Sequence, residues 1–385
     1  MTQKTLNICI LAVEPSGDVL GAHVMKALKE TSERPINFTG LGGAQMEKEG
    51  LSSLFDISDL AVMGLAEVLP KIKFLLKKIR QVTDFIVKTK PDIVLTIDGP
   101  DFTFRVQKKV HKRFKDAQRP RQIHMVAPTV WAWRAGRARK IARFLDGLIC
   151  LFDFEPPYFE KEGLKSCAAG HPVIESGALE AEGQTFRQRH GIEGQALGLL
   201  FGSRSGEIER HGHIILETAK AFPHVSLIVP TLPRHAERIK NILAGLPNKV
   251  VITTDPDEKW SAFKACDAAL AVSGTVGLEL AVCKVPHVIC YKMNPLSWMI
   301  AKRVLKTDYA HLANIMMKRE IVPEFIQERC SAPALIPSVK ALLTYGLERE
   351  NQLSGLQDIG SRIGANDPQT PSEKSAAFIL SFVKS

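Results

Sequence analysis

The chain has 385 residues, 45% of them hydrophobic, and its 51 Lys and Arg outnumber its 41 Asp and Glu to give a formal charge of +10. That length suits two domains of ordinary size, and the composition suits a soluble globular chain able to bury two cores. No run approaches about eighteen consecutive apolar residues, so no membrane-spanning helix is expected.

The cationic surplus points to an anionic partner: nucleic acid, a nucleotide or an anionic membrane surface. Zinc-finger spacing, an aromatic-rich nucleic-acid module and a long basic tail are all missing, so nucleic acid is not the expected one. The N-terminus passes directly into a strand-like run and lacks the parts of a signal peptide. The seven cysteines include no Cys-x-x-Cys pair and read as buried or incidental thiols in a reducing cytosol.

The first strand is expected at 7–13, inside "ILAVEPSGDVLGA", which is a strand, a polar turn and then a helix. Glu14, Ser16 and Asp18 crowd that turn. Acidic groups there suit sugar hydroxyls, and ordinary helix capping explains them equally well. The stretch lacks G-x-G-x-x-G, "GLGG" at 40–43 lacks the third glycine, and no phosphate-loop lysine motif occurs.

Residues 68–90 form an amphipathic helix in which Ile72, Leu75, Leu76, Ile79, Val82 and Ile86 make one stripe and Lys73, Lys77 and Arg80 a basic one. Core packing explains the stripe. The added Phe74 and Phe85 favour a helix at an anionic membrane surface.

"PDIVLTIDGPDF" follows, a strand at 93–97 that stops at Asp98. Asp-Gly-Pro is good turn chemistry. Alternatively, a parallel strand ends here at a ligand cleft, where a carboxylate can take a proton from a substrate. Further strands are expected at 122–126 and 147–151. Between them "APTVWAWRAGRARKIARF" offers Trp131 and Trp133 as a wall for a sugar or acyl chain. Its arginines, starting with Arg134, suit an acceptor phosphate or lipid headgroups; a buried Trp pair beside a solvated helix face is the alternative.

Gly, Pro and small residues interrupt the pattern at 168–184, which places a domain seam near 172. Strands then recur at 197–201, 225–229, 250–253, 268–272 and 287–291. Near-continuous apolar strands separated by helices imply two α/β, doubly wound domains with parallel sheets, whose strand ends share an interdomain cleft. The first domain is placed at 1–172 and the second at 173–360. Residues 361–385 form a helical tail that returns to the first domain or reaches a partner subunit.

In the second domain "LLFGSRSGEIERH" brings Arg204 to a strand's carboxyl edge, where a cation can neutralise a departing phosphate. "AVSGTVGLELAVCKVP" sets Ser273, Gly274 and Thr275 at a helix start suited to a pyrophosphate, with Glu279 about one turn on for ribose hydroxyls. A simple N-cap explains the second loop alone; the two together favour a nucleotide diphosphate. "DPD" at 255–257 reads as a turn or cap, and neither metal nor other cofactor is expected.

In order along the chain, "EPSGD" from Glu14, "MGLAEVL" from Met63, "IDGPDF" from Ile97, "PTVWAWR" from Pro128, "GHP" from Gly170, "GSR" from Gly202, "SGT...LE" from Ser273 and "KTDYAHLANIMMKREIVPEFIQE" from Lys306 resemble the lipid-A-disaccharide synthase family. The resemblance implies a GT-B fold of two Rossmann-like domains. It also implies an inverting, metal-independent glycosyltransferase acting peripherally at the cytoplasmic face of the inner membrane.

The implied substrates are UDP-2,3-diacylglucosamine and 2,3-diacylglucosamine 1-phosphate, joined with release of UDP. Asp98 matches the family's candidate base. Arg204, Ser273, Thr275, Glu279 and Asn314 fall around UDP, while Glu14, Ser16, Asp18, Trp133 and Arg134 fall on the acceptor side. A homodimer is compatible.

The family pattern is not complete here: Val13, Phe201, Ala127, His311 and Ala313 replace its usual residues. Two other readings stay open, a UDP-N-acetylglucosamine 2-epimerase-like enzyme and a non-catalytic nucleotide-sugar-binding protein on the membrane surface.

Overall fold

The computed structural model describes residues 4–61, 68–114, 119–133, 136–272, 274–294, 298–299, 302–303 and 307–383. Arg134, Ser273 and most of the "MGLAEVL" motif lie outside the described residues. The chain divides into two compact units, Met1–Pro172 with Asp367–Ser385, and Val173–Asn366.

The first unit holds strands β1 (Leu6–Ala12), β2 (Ile36–Leu41), β3 (Ser52–Ser53), β4 (Ile93–Ile97), β5 (Arg121–Met125), β6 (Gly147–Cys150) and β7 (Lys165–Ala168). Its helices are α1 (Pro15–Thr31), α2 (Ala44–Lys48), α3 (Ser58–Ala61), α4 (Val68–Thr89), α5 (Pro100–Arg113), α6 (Arg137–Ile141) and α7 (Pro157–Glu160). The sheet order is β3-β2-β1-β4-β5-β6-β7, with every pairing parallel.

Successive side chains of a strand point to opposite faces, so β1 feeds two cores at once. Ile8, Ile10 and Ala12 pack with Val24, Met25 and Leu28 of α1. Cys9, Leu11 and Val13 pack with Ile79, Val82 and Ile86 of α4 and with Val106 and Val110 of α5. A strand buried on both faces has no polar side to display, hence the apolar run of β1 from Ile8 to Ala12.

The second unit continues with α8 (Gly183–His190), β8 (Ala196–Leu200), α9 (Ser205–Lys220), β9 (Ser226–Pro230), α10 (Pro233–Leu243), β10 (Val250–Thr253), α11 (Lys259–Lys264), β11 (Ala268–Val272), α12 (Thr275–Val282) and β12 (His287–Tyr291). Then come α13 (Leu312–Met317), β13 (Glu324–Ile326), α14 (Ala332–Leu343) and α15 (Leu347–Arg362). This sheet runs β10-β9-β8-β11-β12-β13, again all parallel.

The last helix, α16 (Pro371–Leu380), belongs to the first unit, where Ala376 and Ile379 enter the core that α1 covers. A reciprocal cap starts it: Glu373 N–H donates to Thr370 Oγ1 at 3.2 Å, and Thr370 N–H donates to a Glu373 carboxylate oxygen at 2.8 Å.

The loop after β6 buries a carboxylate. Glu155, 2% exposed, accepts from the Trp131 indole N–H at 3.1 Å and from the Leu151 and Phe152 amides at 3.1 and 3.2 Å. Burial outweighs these donors and pushes its carboxyl up to about 7.

A carboxyl raised on folding contributes stability that is present below its unfolded value, 4.5, and lost as pH climbs through about 7. Glu155→Gln has no charge to bury. Across that window wild type is expected to lose on the order of 1–3 kcal/mol relative to the variant. Denaturant unfolding of both proteins over a pH series reads the slope, whatever constant offset the amide introduces. Parallel stability curves would remove Glu155 as the cause.

Candidate functional site

In the second unit the strand order turns back between β8 and β11, and the loops that leave these strands bound a cleft of about 570 Å³. Open parallel sheets take ligands at this place, and the size suits a nucleotide-scale ligand. The cleft is lined by residues after β8 (Gly202, Ser203, Arg204), β9 (Thr231, Leu232), β10 (Thr254, Asp255) and β11 (Gly274, Thr275), with Lys259 and Glu279.

The first loop is held by its own side chains. Gly202 sits at φ +89°, and a Cβ there would lie 2.4 Å from the Glu207 carboxylate, so both conformation and space require glycine. One Glu207 oxygen accepts from the Ser203 and Arg204 amides at 3.0 and 3.2 Å, and the other from the Arg204 guanidinium at 3.1 Å. These turn amides are therefore satisfied within the protein, and the loop's contribution to a ligand is the Arg204 side chain, which is 81% exposed.

The loop after β11 differs. The N-cap of α12 is Gly274, which has no side chain to offer the first-turn N–H groups. Thr275 is exposed at the cleft beside them. Glu279 is held by the Lys259 ammonium at 2.7 Å, which in turn lies over the Trp260 ring at 4.3 Å. Lys259 is a cleft residue that sequence reasoning passed over, because a partner twenty positions away leaves no spacing signal.

Asn314 was expected beside UDP. It is fully buried, its amide donates to Val322 O and Glu324 Oε1 at 2.7 Å each, and its oxygen accepts from the Ile321 and Val322 amides. With its donors and acceptor engaged, it staples α13 to the segment leading into β13.

In the first unit the corresponding reversal lies between β1 and β4, whose last residues Ala12 and Ile97 are paired. Glu14 leaves one strand and Asp98 the other. Partial burial and then the Asp98 charge push the Glu14 carboxyl above its ordinary value.

Asp98 is half-buried and left-handed, at φ +48°, and is followed by Gly99 at φ +52°. Its amide donates to Met125 O at 3.0 Å, and one carboxylate oxygen accepts the Gly99 N–H at 2.8 Å. A non-glycine residue held in this region marks a side chain whose direction is fixed by its surroundings.

Of the other first-unit candidates, Ser16 is exposed on the first turn of α1. Asp18 is 6% exposed, and its two oxygens accept from the amides of Gly43, Gln45 and Met46 at 2.8, 3.0 and 3.0 Å. It therefore caps α2 and shapes the "GLGG" turn. Trp133 is half-buried and its indole donates to Thr129 Oγ1 at 3.2 Å. Asp255 accepts from the Asp257 amide at 2.9 Å, the geometry of a turn cap.

On α4 the sequence stripe splits. Ile79, Val82 and Ile86 are buried, whereas Ile72, Phe74 and Leu76 remain 41%, 40% and 45% exposed. Lys73, Lys77 and Arg80 are exposed beside them. Among the described residues no helix is long and apolar enough to cross a membrane.

A family model described as lipid-A-disaccharide synthetase matches residues 8–376. Relatives named lipid-A-disaccharide synthase include one from Rhodospirillum centenum, 43% identical with 99% of this chain and 95% of that protein covered. Another, from Paramagnetospirillum magneticum, is 40% identical with 98% and 97% covered.

Among solved structures, the UDP-GlcNAc 2-epimerase from Neisseria meningitidis superposes with a TM-score of 0.64 at 15% identity, covering 98% of this chain and all of that one. A glycosyltransferase from Rickettsia africae gives 0.58 at 13%, covering 99% of each. Identities this low show the fold alone, a GT-B arrangement of two Rossmann-like units. The near-full-length family match decides between its users: the chain belongs to the lipid-A-disaccharide synthase family, the glycosyltransferases of lipid A biosynthesis.

Proposed function

We propose that the protein joins UDP-2,3-diacylglucosamine to 2,3-diacylglucosamine 1-phosphate with inversion, releasing UDP, at the cytoplasmic surface of an anionic membrane. The observation that carries this reading is the cleft at the β8/β11 reversal, where an exposed arginine, an uncapped helix start and an anchored carboxylate converge.

In this mechanism the α12 amides and Thr275 receive the diphosphate, and Arg204 offsets the negative charge that grows on UDP as it leaves. Glu279, steadied by Lys259, accepts hydrogen bonds from the ribose. Asp98 removes the proton from the acceptor 6-hydroxyl as that oxygen attacks the anomeric carbon; Glu14, its neighbour, receives acceptor hydroxyls. A single displacement inverts the centre and leaves no covalent enzyme intermediate. No step calls for a metal, since Arg204 and helix amides stabilise the leaving group.

The exposed Ile72, Phe74 and Leu76 beside Lys73, Lys77 and Arg80 support a glycolipid substrate over the epimerase reading, which has no use for a membrane-facing helix.

Asp98→Asn is expected to bind UDP as wild type does while losing on the order of 10²-fold or more in turnover. Retained turnover in an assay of UDP release with both acylated glucosamines removes Asp98 from the base role. Arg204→Ala is expected to lower kcat by a similar order, about 10²-fold, because the charge it meets develops in the transition state. A change confined to KM would make it a ground-state binder. UDP release must stop when either lipid is omitted; conversion of UDP-N-acetylglucosamine with no acceptor would favour the epimerase reading, and UDP binding without any release the non-catalytic one.

A further inference from the structure

Away from the β1/β4 reversal, α4 and α5 pack side by side over one face of the first sheet and leave a small pocket between their outward faces. The pocket, about 130 Å³, is lined by Arg80, Thr83 and Asp84 of α4 and by Lys109, Lys112 and Arg113 of α5. Four cations thus surround one carboxylate. Asp84 is shared, lying 3.5 Å from the Arg80 guanidinium and 3.7 Å from that of Arg113, so it cannot neutralise the group.

The bias extends along α5. After Asp101, each exposed position of that helix carries a cation: Arg105, Lys108, Lys109, Lys112 and Arg113. Cations in the last turn complement the helix dipole. That accounts for Lys112 and Arg113, but not for positions a turn or two earlier, nor for Arg80 on the other helix.

The second observation is what continues the pocket along α4. Ile72, Leu76 and Arg80 are spaced by four and so share one helix face. Each step of four advances about 6 Å. Leaving the pocket toward the start of α4, the surface therefore changes within one turn from cationic to apolar, through Leu76 and then Ile72, both more than 40% exposed. A cationic hollow adjoining an exposed apolar strip has the polarity of an anionic phospholipid, phosphate at one end and acyl carbon at the other.

We propose that the α4–α5 pocket binds the phosphate of a bilayer phospholipid, with Lys109 and Lys112 as its principal ligands and Ile72 and Leu76 against the adjoining acyl region. The site is separate from the cleft at the β8/β11 reversal and from the carboxylates at the β1/β4 reversal. It rests on the membrane-surface reading above and adds to it a discrete, charge-selective anchor.

The test is sedimentation of the full chain with vesicles of phosphatidylcholine alone or mixed with phosphatidylglycerol, comparing wild type, Lys109→Gln/Lys112→Gln and Ile72→Ser/Leu76→Ser. The lysine variant is expected to lose on the order of tenfold or more in affinity for phosphatidylglycerol vesicles and to fall to the phosphatidylcholine level. Its circular dichroism and UDP affinity should match wild type.

If the lysine variant keeps its preference for the anionic vesicles while the Ile72/Leu76 variant loses binding, the pocket is overturned and the membrane reading stands. If neither variant changes binding, both fall. Millimolar glycerol 3-phosphate separates the sources of phosphate. Competition as strong as that of lipid would overturn the phospholipid assignment in favour of a soluble phosphate ester, and weak competition supports it.

Discussion

Each unit is governed by the same constraint: the order of a parallel sheet reverses beside its first strand. Helices on either side of the reversal must leave toward opposite faces, so a crevice opens between the two strand ends there. In the first unit these ends are those of β1 and β4, in the second those of β8 and β11. Apart from Lys259, which follows β10 and steadies Glu279, every residue assigned to chemistry above lies in or just after one of these four loops. The side chains elsewhere in the cores serve to hold the two pairs of strands in register.

What the two reversals present is chemically opposite. In the first unit two carboxylates, Glu14 and Asp98, lie close enough for one to raise the proton affinity of the other. In the second, an arginine and an open helix start favour anions. The two anion-favouring loops are not equivalent. Glu207 takes up the amides after β8, so that loop acts through a guanidinium charge, whereas the loop after β11 acts through amides that no N-cap side chain satisfies. A full charge is suited to negative charge that grows during reaction, and fixed amides to a diphosphate already charged on binding.

Much of this plan was legible from residue pattern. Strands buried on both faces stand out as apolar runs, and 93–97, 250–253, 268–272 and 287–291 have the bounds expected of them. The inner strand β2 and the short edge strands β3, β7 and β13 were not visible. "INFTGL" mixes Asn, Thr and Gly into its apolar pattern, and β3 has only two residues, so neither carries a period. Local pattern also cannot tell a carboxylate offered to solvent from one already taken. Asp18 and Asn314 sit in matched motifs, and tertiary folding engages both with backbone amides, Asn314 also with Val322 O and the Glu324 carboxylate. Nor does the periodicity of α4 say where its apolar stripe ceases to be covered; that depends on how far α5 and the sheet extend beneath it.

The departures from the family pattern fall mostly behind these loops. Val13 is 7% exposed within the α4–α5 core, and its Cγ2 would stand 2.2 Å from a Cβ at position 99, which makes glycine at 99 obligatory and locks the turn that carries Asp98. Phe201 is 2% exposed and joins the second unit's core just before Gly202. His311 is buried, caps α13 through its Nδ1, and fills the space left by Gly277, where a Cβ would lie 2.0 Å from its Nε2. Burial holds both His311 and its neighbour His287 neutral, His287 falling to about 4, so the pair adds volume but no charge beneath α12. Val13, Phe201 and His311 thus lie in what supports these turns, beneath the exposed groups. Bulk behind a loop acts on direction, and direction is what the left-handed turn of Asp98 and the glycine turn before Arg204 both set.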